Sequence, residues 1–258
     1  MTEPITPPLP PAGWYPDPED PTRTLRWWDG YQWSLRKPMP APDGGGIRRP
    51  VGRGVARLGQ VIGVALVFTA LLGIGQLSLH LWGIGMVDEA VAEGDVDRLD
   101  AFDNADAALG VVGLLLMLTV GICWMVWQYR LARTFYDSDL HRNPPWHAWS
   151  WVIPFGNLWM PFQNVRDLWR QLVPLKATAM LGWWWAALIG SWIIERIVLS
   201  DIDEVDSPDT FKNVIGTEVA ADLLGIVAAV LAVRIVRTLT RAGLARSASE
   251  VSAASPAG

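Results

Sequence analysis

The sequence predicts an all-α polytopic membrane protein: four transmembrane helices, a cytoplasmic interfacial or re-entrant segment, and a small N-terminal β-hairpin module. Three observations carry this. Four runs nearly empty of charge follow one another along the 258 residues. The connections between them alternate between basic and acidic. A Trp-rich block between proline-rich stretches precedes all four. Composition agrees: 51% hydrophobic and 18% charged residues are too apolar for an average soluble domain. One cysteine excludes an internal disulfide and any Cys-based metal cluster. A net charge of −5 argues against a dedicated nucleic-acid binder, which needs a basic field.

The front of the chain is polar. Twelve of the 19 prolines lie in the first 50 residues, so residues 1–11 read as a disordered leader and 38–57 as a Pro/Gly/Arg linker. Arg48-Arg49 is a poor twin-arginine signal, because Pro50 follows and a 30-residue apolar run acts as an anchor. Between leader and linker, residues 12–37 carry TLRWW-DG-YQWSL, a hairpin signal. A type I′ turn at Asp29-Gly30 pairs Trp28 with Tyr31 and Arg26 with Trp33. Arg26 then stacks on Trp33 or Trp28, and Trp14 covers the ribbon, since a lone hairpin is marginal in water.

The spans follow. Leu58–Val87 and Ala107–Tyr129 lack Asp, Glu, Lys and Arg entirely. Each exceeds the roughly 20 residues that cross a bilayer. Ala177–Ile194 reaches that length through Leu199, and Thr217–Val233 if Arg234 snorkels. The expected spans are 58–85, 107–129, 177–199 and 217–236, with a disordered tail at 241–258. Residues 88–106 hold 8 acids and one base, and 195–216 hold 6 acids and two bases. The intervening and terminal parts are net basic. The positive-inside rule therefore puts both termini in the cytoplasm and the chain in the cell membrane. The acidic stretch 93–106 matches a calcium loop poorly and reads as a solvated loop.

Between the second and third spans lies NPPWHAWSWVIPFGNLWMPFQNVRDLWRQL. Pro154, Gly156 and Pro161 break any spanning helix. A fifth span would also turn the basic tail outward, so 146–172 reads as interfacial or re-entrant. After Pro161 the pattern is amphipathic: Phe162, Val165, Leu168, Trp169 and Leu172 share a face. That helix either lies in the headgroup plane, with Arg166 and Arg170 toward anionic lipid, or packs on the ends of the spans.

Two resemblances rest on these residues. Gly13, Trp14, Tyr15, Asp17, Pro18, Leu25, Arg26, Trp27, Trp28, Asp29, Gly30, Trp33 and Ser34 make a pattern that resembles a short domain of unknown function found at the front of actinobacterial membrane proteins. Trp149, Trp151, Pro154, Asn157, Leu158, Trp159, Pro161, Phe162, Gln163, Val165, Arg166, Asp167, Leu168 and Trp169, with the four spans, resemble an actinobacterial membrane-domain family, also without assigned function. Together they imply a fold and a membrane location, and no activity.

Candidate chemistry is sparse. Glu218 and Asp222 sit four apart on the fourth span, where an ionisable residue suggests function. They either bind a cation or relay a proton, or they pair with Arg196 or the loop at the outer interface. His80, His141 and His147 cannot form one site, and no catalytic or nucleotide motif appears, so no metal, cofactor or enzyme activity is expected. Candidate contacts to a partner or lipid are Trp14, Arg26, Trp28, Tyr31, Trp33, Trp159, Arg166, Trp169 and Arg170. Small residues at Gly182, Ala186 and Gly190 serve packing inside the bundle or homo-oligomerisation. The expected function is a non-enzymatic membrane-anchored interaction or scaffold protein, contacting lipid and a cytoplasmic protein. The alternative is a small transporter or channel using Glu218 and Asp222.

Overall fold

The computed structural model describes residues 13–38, 49–135, 140–173, 178–201 and 207–254. The predicted leader, half of the linker, and the end of the tail lie outside these. A small antiparallel sheet is followed by a helical bundle: β1 (Gly13–Asp17), β2 (Asp20–Trp28), β3 (Trp33–Pro38), α1 (Arg53–Glu93), α2 (Val96–Ala132), α3 (Trp146–Trp149), α4 (Met160–Leu172), α5 (Thr178–Asp201) and α6 (Pro208–Ala254).

The front module has three strands in the order β1-β2-β3, not two. Pro16 hid β1, but an edge strand tolerates proline because its outer N–H groups need no partner. The hairpin register also differs from the expectation. Trp28 pairs with Trp33, and Arg26 with Arg36. The Asp29 side chain sets this. Its Oδ1 accepts the backbone N–H groups of Tyr31 at 2.7 Å and Gln32 at 2.8 Å, which closes a loop two residues longer than a type I′ turn. Gly30 supplies the φ of +106° that the loop requires.

Among the described residues, three helices, α1, α2 and α6, are long and apolar enough to cross a membrane. The expected fourth, α5, differs. Its 24 residues suffice in length, at about 1.5 Å each. Four tryptophans (183, 184, 185 and 192) and the Glu195-Arg196 pair make it less apolar than the others. It still runs beside α6: a Cβ placed on Gly190 would meet Leu224 at 3.1 Å.

α1 has 41 residues, about 60 Å, so it outruns a ~30 Å hydrocarbon layer. The solvated loop expected at 93–106 is in fact two residues, Gly94 and Asp95. Gly94 takes φ +67°, and Asp95 caps α2 by accepting the Arg98 N–H at 3.1 Å. Leu99 and Phe102, three apart, both pack into the apolar cluster at this end, and that packing outweighed the acids. Next to the α1–α2 turn, Met86, Ala90, Phe102 and Ile215 form a small apolar cluster. Gly83 lets the Phe102 ring approach to 2.4 Å of where a Cβ would sit. This is the hairpin end of the bundle; the opposite end is the terminal end.

The larger core fills the terminal end, where Trp124, Trp127, Leu131, Leu168, Trp184 and Val236 are buried together. The apolar stripe of α4 is spent on this core: Val165, Leu168, Trp169 and Leu172 are all buried, so the helix packs on the bundle. Helix α6 continues to Ala254 through the stretch expected as a disordered tail. Its last turns have partners there. Ser247 accepts the Val51 N–H at 2.8 Å, Arg246 donates to the Gln171 carbonyl at 2.6 Å, and Gly243 sits against Val51 and Leu131.

Candidate functional site

The chemically marked site lies toward the hairpin end. His80 of α1 is only 2% exposed. Its Nδ1 lies 2.7 Å from Asp222 Oδ2, and its Nε2 lies 3.0 Å from Asp106 Oδ1 and 3.2 Å from Glu218 Oε2. Gln76 donates to the same Asp106 oxygen at 3.5 Å. Asp222 also acts electrostatically on Glu195 of α5. Four helices thus place one imidazole and four carboxyl groups together. Helical spacing does this: His80 and Gln76 share one face of α1, and Glu218 and Asp222 one face of α6.

Both ring nitrogens face carboxylate oxygens. The ring donates to both only as an imidazolium, or a carboxyl group holds the second proton. The carboxylates point at the ring, not at a common centre, and among the described residues no group of three or more His, Cys, Asp or Glu side chains could hold a metal ion. The contacts tie α1 to α2 and α6 through one ring. Glu218 and Asp222 therefore meet His80 and Asp106, not Arg196. The sequence signal for His80 was its place as the sole titratable group inside a 30-residue apolar run.

A second polar network sits at the terminal end. Gln128 is fully buried, and its Oε1 accepts the indole N–H of Trp124 at 2.9 Å and of Trp151 at 3.1 Å. Trp127 donates to Thr240 at 3.1 Å. Asn164 of α4 donates to the Trp146 carbonyl and to Ser150, both at 3.0 Å, and accepts from Arg142 at 3.3 Å. These bonds hold the irregular segment between α2 and α4 on the bundle. Three of its aromatic side chains stay outside: Trp149, Phe155 and Trp159 are exposed. Phe155 adopts φ +61° with ψ −42°, and the Gly156 N–H donates to the Pro154 carbonyl at 2.7 Å, so the bend is a three-residue γ-turn.

His147 is fully buried beside this network, and neither ring nitrogen completes a hydrogen bond of normal geometry. Burial pushes it down to about 4; the Arg142 backbone opposes this by proximity, and the Arg142 guanidinium adds to it. An unfolded histidine takes its proton near 6.5, so the folded chain binds fewer protons between pH 6.5 and about 4. Stability present above pH 6.5 is lost as pH falls through that window, by up to about 3 kcal/mol. Melting temperatures of wild type and His147→Phe, followed across these pH values, should diverge as the wild type loses stability and the variant does not.

The remaining predicted contacts divide. In the sheet, Trp14 meets Trp27 edge-on at 5.5 Å, and Trp28 lies 5.2 Å from Trp33. Arg26 is not placed for the expected stacking; its guanidinium lies 3.9 Å from Asp17 and 3.8 Å from Glu19. Asp17 is buried and also pairs with Arg36 at 2.8 Å. Tyr31, 90% exposed, projects from the loop. On α4, Trp169 is buried, and Arg166 lies over the Phe162 ring at 5.5 Å. Arg170 lies within electrostatic reach of Asp167.

Residues 88–241, more than half of the chain, match the model of a domain of unknown function, DUF4328. The chain belongs to the DUF4328 family. The matched region takes in α2 to α5, with Asp106 and Glu195, and the part of α6 that carries Glu218 and Asp222; His80 lies before it. Residues 12–44 match a second model, a protein of unknown function, DUF2510, which covers the whole three-stranded sheet. No curated protein and no solved structure matches the chain.

Proposed function

We propose that this DUF4328 protein is a non-enzymatic, four-span anchor in an actinobacterial cell membrane. Both termini lie in the cytoplasm, and the DUF2510 sheet is held there to contact a protein partner. The observation that carries this reading is the aromatic core at the terminal end of the bundle. Trp124 stacks on Trp184 at 5.6 Å and packs on Trp127 at 5.4 Å, and the indole N–H groups of Trp124 and Trp127 donate to Gln128 and Thr240. A core filled with paired aromatic rings suits an anchor better than a solute path. The fourth span is supported by the course of α5. Its Trp184 and Trp185 pack on Trp124 and Trp151 at the terminal end, while its Glu195 lies near Asp222. The transporter or channel alternative, using Glu218 and Asp222, is favoured by the His80 cluster alone.

Photo-crosslinking in native cells tests the anchor reading. A photoreactive side chain at Tyr31 should give a discrete protein adduct, and one at lipid-facing Leu115 should give lipid adducts only. Lipid adducts alone at Tyr31, or none, overturn the partner-binding role.

A further inference from the structure

The His80 cluster has a use that anchoring does not require. We propose that His80, Asp106, Glu218 and Asp222 form a proton-binding site that exchanges with solvent at the hairpin end only. Every packed helix contributes a titratable group: His80 from α1, Asp106 from α2 with Asp103 one turn before it, Glu195 from α5, and Glu218 and Asp222 from α6. Fully ionised, the three carboxylates that touch the ring outnumber its single positive charge inside an apolar bundle, which is costly. An added proton relieves that excess. Its seat is marked: Glu218 Oε2 is buried, lies 3.2 Å from the ring, and has no hydrogen bond, because the Nε2 proton is directed to Asp106.

Access is graded. Side-chain exposure falls from 32% at Asp106 through 23% at Glu218 and 14% at Asp222 to 3% at His80. Toward the terminal end the route stops. Residues 58–79 of α1, 107–128 of α2, 179–194 of α5 and 223–233 of α6 contain no Asp, Glu, Lys, Arg or His. Protons therefore enter and leave by one face, and the site fills without passing them across the membrane. This separates it from the transporter alternative, which requires a continuous relay.

The test uses the full chain in oriented proteoliposomes, with infrared spectroscopy of the protonated-carboxyl band. Stepping the pH from about 8 to about 5 on the hairpin face should raise that band, and the same step on the terminal face should not. A response to both faces, or to neither, overturns the proposal. This arm uses wild-type protein, so it stands if a variant fails to fold. Glu218→Gln and Asp222→Asn should each remove or shift the band, and Asp88→Asn, an exposed partner of Lys212, should leave it. A band unchanged in both Glu218→Gln and Asp222→Asn overturns the assignment to this cluster.

Discussion

Replacing His80 by leucine is expected to lower the unfolding free energy by about 3–5 kcal/mol, the cost of breaking a buried ion pair by removing one partner. The ring is the common partner of α2 and α6. Without it, Asp106, Glu218 and Asp222 face one another with no cation between them and only the long Gln76 donation to Asp106 remaining. His80→Gln should cost less, because an amide keeps one donor. Asp222→Leu introduced beside His80→Leu should recover part of the loss, since it removes one of the stranded charges. Thermal unfolding in detergent at neutral pH reads all three. A His80→Leu protein within about 0.5 kcal/mol of wild type would mean that the cluster does not tie these helices.

Trp127→Ala carries the other large expected effect, about 3–5 kcal/mol. The side chain is fully buried, packs 5.4 Å from Trp124, and donates to Thr240. Thr240 in turn fills the close approach of α1 to α6: a Cβ on Gly59 would lie 2.5 Å from its Oγ1. Loss of the indole empties the core and frees the hydroxyl that seats α1 on α6. Trp127→Phe isolates the second effect and should cost about 1 kcal/mol for the lost bond, with a smaller cavity term. Hydrogen exchange should show the loosening at the terminal end of α1, α2 and α6, with the hairpin end unchanged.

Much of this architecture was legible in the sequence, because lipid imposes a strong constraint. Runs such as Leu58–Val87 permit little except a helix. What escaped was set by single side chains. Asp29 bonds two backbone amides and so overrode the Asp-Gly turn signal. Pro16 concealed an edge strand. Leu99 and Phe102 made a helix of a stretch that its acids marked as loop. At the site, the period of 3.6 gave the pairing of Glu218 with Asp222 on one face. It did not give His80 and Asp106, because nothing local in either segment names its neighbour across the bundle. The pairing of α1 with α6 settles that, and it depends on close approaches at Gly59, a small residue that the sequence marked for helix packing, and at Gly73.

The central claim is that α5 crosses the membrane and so returns α6 to the cytoplasm. Single cysteines at Ser207, before α6, and at Ser252, in its last turn, test it with Cys123 removed. Asp97→Cys serves as the reference position beyond the α1–α2 turn. On intact cells, an impermeant thiol reagent should label the cysteines at 97 and 207, and should reach the one at 252 only after permeabilisation. Labelling at 252 with protection at 207 would mean three crossings, and would contradict the account.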